Sequence, residues 1–297
     1  MINNKDLYRW CCVPVDQLEH HPDLRISFRI VSDACSLGEI MAQEFLDEIS
    51  VANRKGVLFH AIVPCGPNEW YVPFARLVNE QHISLKNLVV FHMDEMLDWE
   101  GKLLHPQDPS SFRTFMEVNF YNPIHTDLAV LPENRLFLNP QNYLHISERI
   151  AHTSIDYTLG GIGQDGHLAF NEARRNPYHQ VTLEELRDST ARIQENNFDT
   201  MIALSQRAYG TAWQFQPPMS LTLGVKECLK AKKIRIYSAT GAWKQTALRI
   251  ALFSAPTPEY PVTLLSEHPD ACITVTKETA RHPFSENLQW RFRGINA

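Results

Sequence analysis

The densest group of side chains able to do chemistry follows a glycine-rich segment in the middle of the chain. Residues 159–172 read LGGIGQDGHLAFNE and come directly after residues 155–158, whose sequence is typical of a buried strand. The glycines allow a sharp turn and a close approach of the backbone to a ligand. Asp165, His167 and Glu172 lie within this one segment. Because an imidazole flanked by carboxylates is held in one tautomer and exchanges protons near neutral pH, the spacing predicts an acid/base group.

A second acidic pair ends another apolar segment. Asp94 and Glu95 follow residues 87–93, which read NLVVFHM and which we predict to be a strand. Since the carboxyl ends of parallel strands meet at one edge of a sheet, we expect this pair to share a site with the glycine-rich segment. The alternative is that Asp94 and Glu95 cap a helix. We interpret His92 as a strand residue and not a metal ligand, because no second histidine stands at metal-ligand spacing.

The glycine-rich segment also has a formal likeness to a cofactor motif. Residues 161–166, GIGQDG, match the G-x-G-x-x-G pattern of dinucleotide-binding folds, with Glu184 and Glu185 near the expected later acidic position. That pattern normally follows the first strand, whereas this one lies in mid-chain, and Asp165 would repel a pyrophosphate. We therefore disfavour a dinucleotide site and expect neither a cofactor nor a metal.

Strands and helices alternate along the chain and must position these side chains. We predict strands at residues 25–31, 56–63, 87–93, 155–160, 233–238 and 271–275. Helices are predicted from Ser36 to about Asn53, over 72–77, from Ser110 or Ser111 to Phe120, and from Ala242 to about Phe253. This order predicts the α/β class, with a doubly wound, mostly parallel, Rossmann-like sheet that has helices on both faces.

The domain organisation is predicted to be simple. We expect a single compact domain over residues 25–297, preceded by a peripheral N-terminal extension over residues 1–24. The long polar stretch 173–200 is predicted to be irregular or partly helical, and it is a candidate lid over the site.

The amino-acid composition and the net charge argue against several classes of binding partner. Of 297 residues, 44% are hydrophobic, and 28 Lys and Arg against 34 Asp and Glu give a net charge of −6 without a basic block. This balance argues against a nucleic-acid or acidic-membrane partner. No apolar run approaches the roughly 20 residues that span a bilayer, and the N-terminus lacks the order of a signal peptide. The six cysteines show no metal-ligand or disulfide-framework spacing, which favours a cytoplasmic location.

Three segments together resemble the glucosamine-6-phosphate deaminase (isomerase) family. They are the strand end 91–95, FHMDE, the segment that contains His105-Pro106, Ser110, Phe115-Met116 and Asn119-Phe120, and the glycine-rich segment 159–172, which is close to the family signature. The resemblance extends more loosely from about residue 27 to residue 275. The related 6-phosphogluconolactonases share a Gly-x-Asp-Gly-His core, but the Phe-Asn-Glu ending at residues 170–172 favours the deaminase branch.

The resemblance implies a cofactor-free conversion of an amino-sugar phosphate, glucosamine-6-phosphate, to fructose-6-phosphate with release of ammonia. It implies that Asp94 moves a proton between two carbons and that His167 assists ring opening, with Asp165 and Glu172 orienting it. Glu95 would contact the substrate or fix Asp94, and the glycines of the turn, Gly161 and Gly163, would bring backbone N–H groups near the substrate. A lactonase of the same fold and a non-catalytic sugar-phosphate sensor are the alternatives.

The predicted phosphate site departs from the family pattern. The family loop Ser/Thr-Gly-Gly-Thr-Pro is replaced by residues 65–69, CGPNE, which keep Gly66 but add the charge of Glu69. The family arginine falls on Asn197, although Arg192 or Arg207 could substitute for it in space, and Lys244 matches the family lysine. A phosphate is bound largely by charge-assisted contacts, so the substrate is either a sugar phosphate or a related sugar with an altered handle. A homo-oligomer is possible.

Overall fold

A seven-stranded parallel sheet forms the centre of the protein, as a computed structural model that describes residues 2–173 and 180–286 shows. It confirms the predicted α/β class. In chain order the strands are β1 Ser27–Val31, β2 Phe59–Val63, β3 Leu88–His92, β4 Asp94–Leu97, β5 Arg135–Leu136, β6 Tyr157–Gly160, β7 Arg192–Glu195, β8 Met219–Thr222, β9 Lys233–Ser238 and β10 Ala271–Thr276.

The order of the strands shows where the chain changes direction. The sheet runs β1-β10-β9-β6-β2-β3-β5, and every neighbouring pair is parallel. From β2 the chain winds outward through β3 to β5, and it then returns to the other side of β2 with β6. The carboxyl ends of β2 and β6 therefore flank a topological switch point, which is where open α/β sheets bind ligands.

Helices cover both faces of this sheet, and two hydrophobic clusters fill the space between. The α-helices of the described residues are α1 Asn4–Cys11, α2 Val15–Leu18, α3 Ala34–Lys55, α4 Tyr71–Glu80, α5 Phe112–Met116, α6 Tyr143–His152, α7 Leu183–Arg187, α8 Phe198–Ala208, α9 Val225–Cys228, α10 Gln245–Phe253, α11 Lys277–Ala280 and α12 Pro283–Glu286. The central strands β2 and β3 are almost completely buried on both faces, which explains their nearly continuous apolar sequences.

Helix α3 shows how local sequence sets an element's bounds. Its buried side is formed by apolar residues at helical spacing, among them Met41, Phe45 and Ile49. The N-cap is Asp33, whose carboxylate accepts the N–H of Ser36, so our assignment of Ser36 as the cap is wrong by one turn. The helix ends at Gly56 in the left-handed conformation, with φ at 65°, and the following strand begins only at Phe59.

Other boundaries also differ from the prediction. Helix α4 is longer than the predicted 72–77. Ser111, not Ser110, caps α5, and a π-helical turn over Glu117–Tyr121 completes the helix predicted to end at Phe120. The predicted helix after β9 begins as a 3-10 turn, Gly241–Lys244, before α10.

A second sheet was not predicted. Strands β4, β8 and β7 form a three-stranded antiparallel sheet, in which Asp94 pairs with Thr222. Asp94 and Glu95 are therefore strand residues, and the alternative of a helix N-cap is wrong. The stretch 173–200 contains α7, β7 and the start of α8, so it is more regular than expected; residues 174–179 of that candidate lid lie outside the described residues.

The N-terminal segment packs on the domain through α10. Val13 accepts a hydrogen bond from Arg249 at 3.1 Å, and the ring of Trp10 stacks on Phe253 with centroids 6.2 Å apart. Leu18 is fully buried in the core. The domain boundary at residue 24 stays a prediction. Among the described residues, no helix combines the length and the apolar character that a membrane crossing requires.

The first prediction concerns Gly38, a buried residue of α3 that faces the loop after β2. A methyl group at this position would overlap the backbone carbonyl of Glu69. We expect Gly38→Ala to lower the free energy of unfolding by about 1–3 kcal/mol, because either the helix or the loop must move. Urea unfolding measures this, with the exposed Cys35→Ala of the same helix as the control, expected to change stability by less than about 0.5 kcal/mol. Equal stability of the two variants would contradict the steric argument.

Candidate active site

A cavity of about 230 Å³ lies at the switch point. Its walls come from the loop after β2, the junction of β3 and β4, the glycine turn after β6, the end of β9 and the end of α8. Six of the predicted site residues line it, namely Gly66, Asp94, Gly161, Gly163, His167 and Lys244. Asp165 and Glu172 lie behind His167, whereas Glu95 and Asn197 do not line the cavity.

Asp94 stands at the first position of β4, immediately after the strand β3 and Met93. Burial and then the neighbouring charge of Glu95 raise the pKa of Asp94, the charge of His167 opposes the shift, and the net result is a pKa of about 7. The carboxyl group thus titrates close to neutrality. A carboxylate of this kind can take a proton from a weakly acidic group and return it, which is the property of a general base.

The imidazole of His167 is packed against the turn that precedes it. Gly163 donates its N–H to the carbonyl of His167 at 3.0 Å, and any side chain at position 163 would overlap the ring. Gly166, with φ at 78°, occupies the left-handed region that the turn requires. Gly163 therefore leaves the space that the imidazole of His167 occupies. Residues 161–173 contain no helix, so the dinucleotide interpretation is wrong.

Two carboxylates face the inner side of this imidazole. Oδ1 of Asp165 lies 2.7 Å from Nδ1 of His167, and Oε1 of Glu172 lies 3.8 Å from it. The nearer contact is an ion-pair contact without good hydrogen-bond geometry. Burial alone would lower the pKa of His167, but the charges of Asp165 and then Glu172 outweigh it and raise the pKa. The ring therefore holds its proton to a higher pH than an ordinary histidine does.

The two supporting carboxyl groups differ from each other. Burial would raise the pKa of Asp165, yet the charge and contact of His167 lower it to about 2, so Asp165 remains an anion. Burial raises the pKa of Glu172, although His167 and hydrogen bonds from Thr200 and Asn197 oppose the shift. Within the described residues, these three groups are also the cluster with metal-ligating geometry, with donor atoms within 4.8 Å of one another. The expected absence of a metal stays a prediction.

Asn197 has a supporting position and not a place in the cavity. Its N–H donates to Glu172 at 2.5 Å, and its side chain donates to the carbonyl of Ala173 at 2.7 Å. Arg192 also lies outside the cavity and donates to the side chain of Asn171 at 2.8 Å. Of the two arginines that could substitute for the missing one, the structure brings Arg207 to the cavity.

Arg207 and Lys244 give one end of the cavity a positive charge. Burial and then the nearby charge of Arg207 lower the pKa of Lys244, Asp165 opposes the shift, and the net result is a pKa of about 8. Asn68 of the predicted loop 65–69 also lines the cavity, as do two hydroxyl residues that the prediction from sequence missed, Ser238 and Thr240. Ser238 ends the predicted strand 233–238, so the position of a hydroxyl at a carboxyl strand end was a usable signal. Glu69 also lines the cavity and adds a carboxylate.

Aromatic rings form the remaining wall. Phe112 and Phe170 both line the cavity, and their rings stack with centroids 6.1 Å apart. Phe170 in turn stacks on His167 at 5.6 Å. Phe112 is the first residue of α5, and nothing in its spacing marks it as a cavity residue.

Comparison with known proteins places this arrangement in a family, although no protein-family model matches the chain. Glucosamine-6-phosphate deaminase of Aliivibrio fischeri (strain MJ11) is 34% identical over 250 residues, which cover 80% of this chain and 85% of the relative. The deaminase of Aliivibrio salmonicida (strain LFI1238) is 32% identical over 254 residues, covering 82% and 87%.

Solved structures show the same fold. A monomeric glucosamine-6-phosphate deaminase superposes with a TM-score of 0.72 at 21% identity, covering 85% of this chain and 98% of that one. A 6-phosphogluconolactonase from Trypanosoma cruzi superposes with a TM-score of 0.62 at 17% identity, covering 91% and 100%. From the sequence relatives, with the switch-point cavity and its acid/base residues, it follows that the chain belongs to the glucosamine-6-phosphate deaminase family.

Proposed function

We propose that this protein converts glucosamine-6-phosphate and water to fructose-6-phosphate and ammonia. The observation that carries the proposal is that Asp94 and His167 line one cavity, the first with a pKa near neutrality and the second able to hold a proton. A reaction that opens a sugar ring and then moves a proton between adjacent carbons needs both groups. The curated relatives bear the name of this activity.

Two groups move the protons of this reaction. His167, oriented by Asp165 and Glu172, passes a proton to the ring oxygen and takes up the proton of the anomeric hydroxyl, so that the pyranose opens to the aldehyde. Asp94 then takes the proton from C2 while the imidazole returns its proton to O1, which gives an enolamine. Asp94 delivers its proton to C1, which leaves an iminium group at C2. Attack of water on that carbon and loss of ammonia give the ketose. No step in this sequence needs an oxidant or a reductant.

The charged end of the cavity supports a phosphorylated substrate. Lys244 and Arg207 supply two positive charges, and Asn68, Ser238 and Thr240 supply polar groups beside them. Together they replace the hydroxyl-rich loop and the family arginine as partners for a phosphate. Arg207 is exposed at the mouth of the cavity, so its contribution is screened by solvent more than that of Lys244.

The two alternatives receive less support. The lactonases share the fold at identities below 20%, which carries no activity by itself. A non-catalytic sensor has no need of a carboxyl group poised near pH 7. A cytoplasmic location and a homo-oligomer stay predictions.

The proposed activity is tested by coupled assays for ammonia and fructose-6-phosphate. The wild-type protein should release both from glucosamine-6-phosphate in equal amounts. Asp94→Asn should lower kcat by about 10²–10⁴-fold, because the amide cannot accept the C2 proton. Binding of inorganic phosphate, followed by calorimetry, should be retained in this variant. Hydrolysis of 6-phosphogluconolactone by the wild type, with no ammonia from the amino sugar, would favour the lactonase instead.

The pKa of Asp94 also predicts two pH dependences. As a base it must be ionised, so kcat/KM should fall as the pH drops below about 7. A carboxyl pKa raised by folding means that stability is lost as the pH rises from the ordinary carboxyl range through 7. Asp94→Asn should therefore be more stable than the wild type at pH 8, by up to about 4 kcal/mol, with the difference vanishing towards pH 4. Thermal unfolding across this range measures it, and a constant difference would refute the assigned pKa.

The role of the cationic end is tested by removing each charge. Lys244→Met and Arg207→Gln should raise the KM for glucosamine-6-phosphate, since a hydrogen bond to a charged group contributes about 1.5–3 kcal/mol and the exposed Arg207 less than Lys244. Turnover of unphosphorylated glucosamine should change little in either variant. Lys226→Met, which removes an exposed lysine outside the cavity, is the control. An unchanged KM in both variants would mean that another group holds the phosphate.

A further inference from the structure

We propose that Glu95 is a positioning residue that fixes the segment 110–113 and thereby holds both the aromatic wall and the anion-binding end of the cavity in place. The inference rests on the proposed function, because it concerns the geometry of that same site. It assigns to Glu95 a role different from substrate contact, since its carboxylate does not line the cavity.

The carboxylate of Glu95 is committed to backbone groups. The residue is 3% exposed, and its two oxygens accept the N–H groups of Phe112 at 2.7 Å and Arg113 at 2.8 Å. The N–H of Met96 also donates to it, at 3.0 Å. Hydrogen bonds to a buried anion are strong, and removing the acceptor leaves its donors unpaired. Glu95 therefore anchors the start of α5 to β4, the strand that carries Asp94.

By anchoring α5, Glu95 also affects the position of His167, through a stack of aromatic rings. Phe112, whose N–H Glu95 holds, stacks on Phe170, and Phe170 stacks on the imidazole. The N–H of Phe170 is itself held by the hydroxyl of Thr222, which pairs with Asp94 across the small sheet. Two connections thus run from β4 to Phe170, whose ring contacts the imidazole, and Glu95 forms one of them.

By anchoring the segment 110–113, Glu95 also affects the position of Arg207. Ser110 lies two residues before Phe112, and its hydroxyl is 2.5 Å from that of Tyr209. Tyr209 is the C-cap of α8 and follows Arg207 by two residues. The far end of α8 is fixed independently, since Gln164 donates to Thr200 at 2.9 Å. The contact between Ser110 and Tyr209 therefore determines where the arginine end of α8 sits relative to the base.

Because Glu95 carries a charge, its replacement should also change the pKa of Asp94, an effect that a loss of packing alone would not produce. Asp94 is faced by Glu95 and by His167, and also by Cys65, Tyr71 and Cys228. Burial raises the pKa of each of these last three groups, so they are neutral near pH 7. Burial raises the pKa of Glu95 itself, and the three N–H donors and the charge of Arg113 oppose this shift by favouring the anion. Neutralising Glu95 should therefore make Asp94 easier to ionise.

The test is Glu95→Gln, which keeps the shape but leaves one backbone N–H opposite an amide NH₂. We expect kcat to fall at least about tenfold and the KM for glucosamine-6-phosphate to rise, because a small displacement of reacting groups is costly. The acid limb of kcat/KM should move to lower pH. The affinity for inorganic phosphate, measured by calorimetry, should also decrease. This measurement tests whether Glu95 helps to position Arg207, and it does not depend on turnover.

A matched control is Glu227→Gln. Glu227 is another buried carboxylate that accepts the N–H at a helix start, from Gly224 at 2.7 Å, and it lies outside the cavity. It should lower stability without moving the pH profile. If Glu95→Gln behaves as Glu227→Gln does, with kcat, KM and the acid limb at wild-type values, the proposal is overturned.

Two further variants keep the proposal testable if Glu95→Gln does not fold. Phe112→Leu interrupts the ring stack and should lower kcat, whereas Tyr209→Phe breaks the contact with Ser110 and should raise KM and weaken phosphate binding. Wild-type behaviour of both variants would refute the proposal. A wild-type protein that releases no ammonia would instead refute the proposed function, and phosphate binding by Tyr209→Phe would still decide the connection to α8.

Discussion

Two carboxyl groups of the same chemical type have widely separated pKa values within one site, and the rest of the structure maintains this separation. Asp165 touches the imidazole of His167 and keeps its charge, with a pKa of about 2, whereas Asp94 stands beside another acid and titrates near 7. Asp165 supports the protonated form of His167, which is the acid, whereas Asp94 can take up and return a proton as the base. The fold provides both environments, because β6 and β3 lie on either side of β2 and their carboxyl ends reach the same cavity.

Most of the central fold could be predicted from the sequence, because buried parallel strands and their crossover helices leave strong local patterns. The glycine segment and Asp94 were found for the same reason: each follows an apolar strand. The antiparallel sheet escaped prediction because β4, β7 and β8 have only four residues each, too few to show a period. The cap of α3 was misplaced because Asp33 and Ser36 are both suitable caps, and only the backbone geometry distinguishes them.

The site was harder to predict where residues distant in sequence act together. Lys244 could be aligned with a family position, but Arg207 projects into the cavity from a helix whose placement depends on contacts at both of its ends. Glu95 and Asn197 have residue types suited to binding a sugar, yet backbone N–H groups and neighbouring carbonyls already occupy them. Type and spacing identify side chains capable of chemistry, whereas three-dimensional contacts decide which of them are free to perform it.

Helix α3 lies in close contact with the loop after β2, and this contact limits which substitutions the site can accept. At Gly38 the limiting neighbour is the main-chain carbonyl of residue 69, which is the same atom whatever side chain stands there. The helix therefore constrains the path of this loop and not its chemistry. Substrate preference can drift through substitutions such as the glutamate at 69, while the scaffold beneath tolerates no bulk at position 38. The side chain at residue 69, which lines the cavity, can therefore change while the backbone contact between residue 69 and Gly38 stays the same.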